Sequence, residues 1–408
     1  MSDTVAIVGG GHAAGQAVVS LRQYGYEGRI LLIGEEPYLP YQRPPLSKKF
    51  LAGELEQERL YVKPAQFYED KRVELRLGTR VESLDLHARR LQTADGETLE
   101  WERLLLTLGS RVRMLDLPGA TLEGVHYLRS IDDVRGIQPQ FRAGARLVVV
   151  GGGYIGLEVA AIARQVGLEV DVVEMADRLM ARVVCPEVSA HYRDLHEAAG
   201  VRLHLGTGVQ GFGGDRRVDK VVTSAGDLSA DLVIVGVGIL PETALAAAAG
   251  LDCDDGICVD EYAVTSHPDV LAAGDCTRHP NALLGRRLRL ESVHNALEQA
   301  RTAAATLCGE RRAYVQVPWF WSDQYDTKLQ IAGLSEGYER VIVRGDPASG
   351  GFTVCYLHDE DRLLAVDAVN APRDFMQAKK LLADRPRVDV ARLADPQVPL
   401  PDACRVGD

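Results

Sequence analysis

The sequence predicts an α/β fold class: two Rossmann-like domains followed by a C-terminal α+β domain. Three observations predict it. A strand, a glycine-rich turn, a helix and a second strand fill the first 35 residues. The same unit returns 142 residues later, at Gly151 against Gly9. After about Pro318 the glycine fingerprints stop, and strand-length apolar runs lead into one helix.

Each element has a local reason. Val5, Ile7 and Val8 form a short apolar run, the pattern of a parallel strand buried on both faces. Gly9-Gly10-Gly11-His12-Ala13-Ala14-Gly15 then turns into a helix reaching about Tyr24. Residues 29–33 are the next strand, closed by Gly34-Glu35-Glu36. In the second copy the strand is 147–150 and the turn Gly151-Gly152-Gly153-Tyr154-Ile155-Gly156. The helix is 157–166, and the strand 170–173 ends on Glu174. In the tail, 340–344, 352–357 and 363–369 are strands, and Pro372, suited to a first helical position, opens a helix to Ala383. The last dozen residues, rich in Pro and Asp, are expected to be irregular.

Length and composition bound the function. A chain of 408 residues suffices for two or three domains. Its 46 basic and 58 acidic side chains leave a net charge of −12, which argues against a general nucleic-acid binder. With 25% charged and 46% hydrophobic residues it is globular in composition, not disordered. No apolar run approaches the roughly 18 residues of a membrane-spanning helix. A strand already begun by Val5 leaves no room for a signal peptide. Seven cysteines, odd in number and without paired spacing, point to a reducing cytoplasm.

The two glycine turns carry the chemistry. A dinucleotide's pyrophosphate sits on a helix N-terminus, where free N–H groups and the helix dipole stabilise negative charge. The first glycine permits the tight turn, the second lets backbone approach phosphate, and the third lets helix and strand pack closely. Gly151, Gly153 and Gly156 satisfy this pattern; in the first copy Gly9 and Gly11 fit, and Ala14 takes the third place. One such turn is weak evidence, but two copies, each ending in an acid, are strong. Glu35, with Glu36 beside it, and Glu174 lie 24 and 21 residues beyond Gly11 and Gly153. A carboxylate there accepts hydrogen bonds from ribose hydroxyls and repels a 2′-phosphate by roughly 1 to 4 kcal/mol per charge pair. Glu174 therefore favours NADH over NADPH, while Arg178 and Arg182 keep the phosphorylated alternative open.

Two dinucleotide domains suggest FAD plus a nicotinamide, and further segments sharpen this. Leu104-Leu105-Leu106-Thr107-Leu108-Gly109 looks like the strand and turn that closes the first FAD segment of two-dinucleotide flavoproteins. Asp231-Leu232-Val233-Ile234-Val235-Gly236-Val237-Gly238 resembles the strand that closes the NAD domain, and Ala273-Gly274-Asp275 the late FAD motif. The most specific stretches are Pro40-Tyr41-Gln42-Arg43-Pro44-Pro45-Leu46-Ser47-Lys48, Glu291-Ser292-Val293-His294-Asn295-Ala296 and Pro318-Trp319-Phe320-Trp321-Ser322-Asp323-Gln324-Tyr325. Together they resemble the putidaredoxin reductase family of NADH-dependent, FAD-containing reductases of [2Fe-2S] ferredoxins, from Val5 to about Pro401. The resemblance implies an FAD-binding domain split around an NAD-binding domain. The first FAD-binding segment would span 1–111, the NAD-binding domain 112–244, the second FAD-binding segment 245–316, and a C-terminal α+β domain 317–408.

By motif, the resemblance implies FAD contacts at Ala13, Glu35, Arg43, Lys48, Val81, Arg129, Asp275 and Val293, beside the turn residues Gly9, Gly11 and Ala14. The NAD contacts would be Gly151, Gly153, Ile155, Gly156, Glu158, Glu174, Arg182 and Gly238. Lys48 and Glu158 are the expected catalytic pair, with Trp321 stacked on flavin or nicotinamide and Trp319 in the core. Departures from the family pattern are Ala14, Gln42 and His294, the last standing where a proline is common. The implied chemistry is hydride transfer from NADH to FAD, then single electrons to a ferredoxin, with no protein acid–base step required.

Related enzymes on this fold pass electrons to a cysteine near the flavin. Residues 43–51 contain none, no CxxC occurs, and the close pair Cys253 and Cys258 lies in a turn-and-strand pattern expected to be structural. That counts against an NADH oxidase or peroxide or disulfide reductase, and makes His12 a helix-start residue near phosphate or flavin. A redox sensor like apoptosis-inducing factor is the third reading. His191 and His196, five apart, do not share a helix face, and no Cys/His spacing suggests a metal. The implied ferredoxin is acidic, so a chain of net −12 needs a local basic patch. Arg301 and Lys328 are the candidates, with 286–289 and 311–312 as other basic clusters. The resemblance leans to cytochrome P450 service over dioxygenase service on residues 319–345, and to a monomer.

Overall fold

The computed structural model describes residues 3–405. The chain forms two compact units: Met1–Arg43, Gln57–Arg111 and Ile239–Pro318 make the first, and Pro44–Glu56, Val112–Gly238 and Trp319–Asp408 the second.

In the first unit, parallel strands lie in the order Val270–Ala272, Arg103–Leu106, Thr4–Val8, Arg29–Gly34, Val73–Leu77. Alternate side chains serve opposite faces. Val5, Ile7, Ile30, Leu32 and Leu105 enter a core with Ala14, Ala17, Val18 and Leu21 of the helix His12–Gln23 and with Ala300, Ala303 and Ala304 of the helix Val293–Leu307. Ala6, Val8, Leu31, Ile33, Leu104 and Leu106 enter a second core with Trp101, Leu251 and Ile257. Both faces are covered, so the strands appear in the sequence as unbroken apolar runs. Each fully buried Val, Leu or Ile contributes about 1.5–3 kcal/mol relative to exposure. The first glycine turn leaves the carboxyl end of the central strand, the side on which such sheets bind ligands.

The second unit repeats the plan. Parallel strands follow the order Arg202–His204, Glu169–Val173, Arg146–Val150, Leu232–Val235, Val125–Tyr127. The helix after the glycine turn is Tyr154–Val166, three residues longer at its start than the sequence predicts. Tyr154, Ile155 and Gly156 are already helical, because Gly153 is the N-cap.

The tail contributes an antiparallel sheet in the order Trp319–Gln324, Thr327–Gly333, Arg362–Val369, Gly351–His358, Arg340–Asp346. The helix Pro372–Leu381 packs on it and ends in a 3-10 turn, Leu382–Asp384, where the sequence predicts continued helix. The first two strands form a hairpin without a sequence signal. Tyr325, at φ 52°, holds the left-handed turn position that glycine or asparagine usually marks. Of the terminal dozen, 397–405 include the 3-10 turn Leu400–Ala403, and 406–408 lie outside the described residues. Among the described residues, no helix is long and apolar enough to cross a membrane.

Candidate active site

The two glycine turns share one geometry. Gly9 stands at φ 120° and Gly151 at φ 107°, and each lies against a backbone carbonyl of the neighbouring strand's turn. A Cβ on Gly9 would collide with the Thr107 oxygen, and one on Gly151 would sit 2.5 Å from the Gly236 oxygen. The second glycines, Gly11 and Gly153, have open space where a Cβ would point. They are also the N-caps of the 12-residue helix His12–Gln23 and the 13-residue helix Tyr154–Val166, with no side-chain cap and no acid in either first turn. Some other helices are capped by side chains: Ser130 and Asp133 form a capping box at Ile131–Ile137, and the Ser292 side chain caps Val293–Leu307. The two fingerprint helices thus leave N–H groups and positive dipole ends to a ligand, which fits a pyrophosphate at each.

The third positions differ. A Cβ on Gly156 would collide with the Gly151 carbonyl, whereas the first copy holds the buried methyl of Ala14.

The other residues predicted for the first unit lie on several of its elements. Glu36 accepts from Arg43 at 2.7 Å and from the Tyr41 hydroxyl at 2.6 Å. Glu35 is exposed and pairs with Arg80 at 3.1 Å. Asp275 accepts from Ser110 Oγ at 3.1 Å, and the turn before it is held by Gln299, whose Oε1 takes Gly274 N–H at 2.7 Å and the Thr277 hydroxyl at 2.8 Å. No sequence motif points to Gln299. Val81 opens the strand Val81–Asp85 of a small antiparallel sheet, and His12 opens the first fingerprint helix. Val293 opens the helix Val293–Leu307, whose second residue, His294, is buried.

In the second unit, Glu174 folds back onto the turn, accepting Gly152 N–H at 2.6 Å and Ala176 N–H at 2.8 Å. Arg178 is spent on the carbonyls of Val184 and Ala181, both at 2.7 Å, so of the two arginines only Arg182 lies toward the site, beside Gly238. Ile155 is 43% exposed at the helix start, an apolar surface beside the open N–H groups. Arg129 precedes the capping box, its N–H bound to Asp133 at 2.9 Å.

Lys48 and Glu158 come together in this unit, Nζ to Oε2 at 2.6 Å. The 3-10 turn Pro44–Ser47 packs on the second fingerprint helix and also delivers Ser47, whose hydroxyl donates to the same oxygen at 2.6 Å. Ser322 donates to Oε1 at 2.7 Å. Three donors therefore converge on one carboxylate that is 4% exposed. A strand lies along a helix to make this possible. Phe320 packs on Tyr154, ring centroids 4.7 Å apart, and Ser322 meets Glu158. Two strand residues rise about 6.6 Å and four helix residues about 6 Å, so the contacts stay in step. Trp321 points to the other face, 5.5 Å from the Trp319 ring, which itself packs half-buried on Phe375. Ser47, Ser322 and Gln324 were missed: Ser322 and Gln324 alternate on the buried face of their strand and Ser47 ends a 3-10 turn, but nothing in either pattern points to Glu158.

The proposed docking cations are each paired with a neighbouring acid, Arg301 with Glu298 and Lys328 with Asp323. All seven cysteines are free thiols; burial raises the Cys253 thiol, and Cys258 is half-buried in a short strand. Among the described residues, no group of three His, Cys, Asp or Glu side chains could hold a metal.

Residues 3–300 match the family described as Pyridine nucleotide-disulphide oxidoreductase, and residues 319–404 match Reductase C-terminal. The chain belongs to the pyridine nucleotide-disulphide oxidoreductase family and is an FAD-dependent oxidoreductase that binds FAD and NAD(H). It is similar, at 44% identity and a TM-score of 0.95, to the reductase in the covalent putidaredoxin reductase–putidaredoxin complex, covering 98% of each chain. It is also similar to the ferredoxin reductase for the CYP199A2 system from Rhodopseudomonas palustris, with 44% identity, a TM-score of 0.94, and coverage of 99% and 100%. The anthranilate 1,2-dioxygenase system ferredoxin–NAD(+) reductase component of Burkholderia cepacia is 43% identical over 402 residues, covering 98% of both proteins.

Proposed function

We propose that this chain passes electrons from NADH, through FAD, to an acidic [2Fe-2S] ferredoxin that serves a cytochrome P450, acting as a cytoplasmic monomer. The observation that carries this reading is the segment bringing Ser47 and Lys48 to Glu158: residues 44–51 hold no cysteine. A dithiol reductase would need a thiol there, so the acceptor is one that takes electrons without covalent exchange. The names of the relatives point the same way. Bound FAD and NADH supply the hydride and one-electron chemistry. Gly9, Gly11, Ala13, Ala14, Glu35, Arg43 and Asp275 would hold FAD, together with Lys48, Val81, Arg129 and Val293. Gly151, Gly153, Ile155, Gly156, Glu174, Arg182 and Gly238 would hold NAD. Lys48 and Glu158 would orient the reacting ends, and Trp321 would stack there. Glu174, already bound to the turn, favours NADH. Free thiols suit a reducing compartment. P450 service rests on residues 319–345; the Burkholderia cepacia relative keeps dioxygenase service as the second reading.

The test is NADH oxidation by the holoenzyme with cytochrome c as final acceptor, with and without a [2Fe-2S] ferredoxin. A rate that rises many-fold and saturates with ferredoxin supports the proposal. Fast loss of NADH to oxygen without stimulation by any P450- or dioxygenase-type ferredoxin overturns it in favour of an oxidase. Arg301→Glu should raise the ferredoxin KM and leave reduction by NADH unchanged; an unchanged KM removes Arg301 from the docking face.

A further inference from the structure

Glu158 is the end of a buried chain of hydrogen bonds. Ser322 Oγ donates to Glu158 Oε1 at 2.7 Å, Gln324 Nε2 donates to Ser322 Oγ at 3.2 Å, and His196 Nε2 meets Gln324 Oε1 at 2.8 Å. Tyr325 OH lies 3.4 Å from His196 Nδ1, its ring 5.2 Å from the imidazole. Ser322, Gln324 and His196 are at most 1% exposed.

The chemistry fixes the direction of every link. A carboxylate only accepts, so the single Ser322 proton goes to Glu158 and Ser322 must accept from the Gln324 amide. That turns Gln324 Oε1 toward His196, whose Nε2 must then carry its proton. Burial disfavours the imidazolium and holds His196 below its ordinary range, leaving Nδ1 as the acceptor that faces Tyr325. All donors point toward Glu158, an arrangement in which each bond polarises the next. A carboxamide in the middle cannot hand a proton on without changing tautomer. The chain therefore orients and does not conduct.

We propose that Gln324 and His196 are positioning residues that hold the Glu158 carboxylate in the rotamer that receives Lys48. The inference rests on the reading of Lys48 and Glu158 as the reacting pair. Ser322 fixes Oε1, which leaves Oε2 for Ser47 and Lys48; the Gln324 amide, donating to Ser322 Oγ and itself held by His196, fixes where that hydroxyl sits and so the direction from which it meets Glu158. Four distant stretches of sequence meet here, and a histidine on the helix Pro186–Ala198 thereby governs a group on the helix Tyr154–Val166.

The holoenzyme with Glu158→Gln, Gln324→Leu and both changes tests this, read by stopped-flow reduction of the flavin with NADH. Gln324→Leu should slow reduction at saturating NADH by up to about tenfold, the upper end for one neutral hydrogen bond, with NADH affinity unchanged. In the Glu158→Gln background it should have no further effect. Equal slowing in both backgrounds overturns the proposal. If Glu158→Gln alone leaves reduction unchanged, the reading of the reacting pair fails instead. Ser322→Thr should retain the rate that the isosteric Ser322→Val loses, a comparison that survives poor folding of Gln324→Leu. Independently of turnover, 15N NMR of labelled histidine should find neutral His196 protonated on Nε2 at about pH 7. An Nδ1–H tautomer or an imidazolium there overturns the assignment.

Discussion

Asp367 lies wholly buried in the antiparallel sheet of the second unit. Its Oδ2 accepts from the Tyr356 hydroxyl, which in turn takes the Cys185 N–H at 2.9 Å. Its Oδ1 has no partner among the described residues. Removal from water disfavours the anion and pushes the carboxyl up to about 7. The folded chain then keeps a proton that the unfolded chain releases near pH 4. This contribution to stability is full below that value and disappears as pH rises to about 7. From about pH 5 to about pH 8 the wild type should lose roughly 2 to 3 kcal/mol relative to Asp367→Asn, measured from thermal midpoints. Parallel loss in both proteins would clear Asp367 of the effect. Nothing in its neighbourhood along the chain, Ala-Val-Asp-Ala-Val, marks this residue as protonatable.

At the scale of elements, the repeated turn permits an internal comparison. Its first glycine is fixed in both copies by a carbonyl pressing on it, but the third position is closed to a methyl only in the second. Gly156→Ala should therefore weaken NADH binding more than tenfold, while Ala14→Gly should cost roughly 1 kcal/mol of helix stability with FAD retained. Titration of NADH and flavin release on heating would check both; normal NADH affinity in Gly156→Ala would contradict the collision. The strands of the two parallel sheets and the fingerprint helices were legible because local chemistry specifies them: two-sided burial and open helix starts. The Lys48–Glu158 pairing was legible only through a family pattern. Ser47, Ser322, Gln324 and His196 were not, because they depend on which strand pair runs in step with which helix turn. That register is a property of segments 111 to 164 residues apart, and no periodicity encodes it. The hairpin at Tyr325 was hidden for a smaller reason, a tyrosine in a glycine's conformation.

Over the whole molecule, neither unit is a continuous stretch of chain. The helix His12–Gln23 packs against Val293–Leu307, and the strand Arg103–Leu106 pairs with Val270–Ala272. During synthesis on a ribosome, at roughly 5–20 residues per second, the amino-terminal strand and helix wait on the order of 15–60 s for the segment that completes their core. Throughout that interval the apolar face of Ala14, Ala17, Val18 and Leu21 lacks the cover that Ala300, Ala303 and Ala304 supply. Nascent chains arrested before residue 293 should be cut by protease within 12–23, and chains released after 318 should resist. Equal resistance in both would mean that the first half closes without its partner. The order of manufacture thus departs from the order of completion: residues translated first wait for packing partners translated far later, and the newborn protein depends for that time on whatever shields its own beginning.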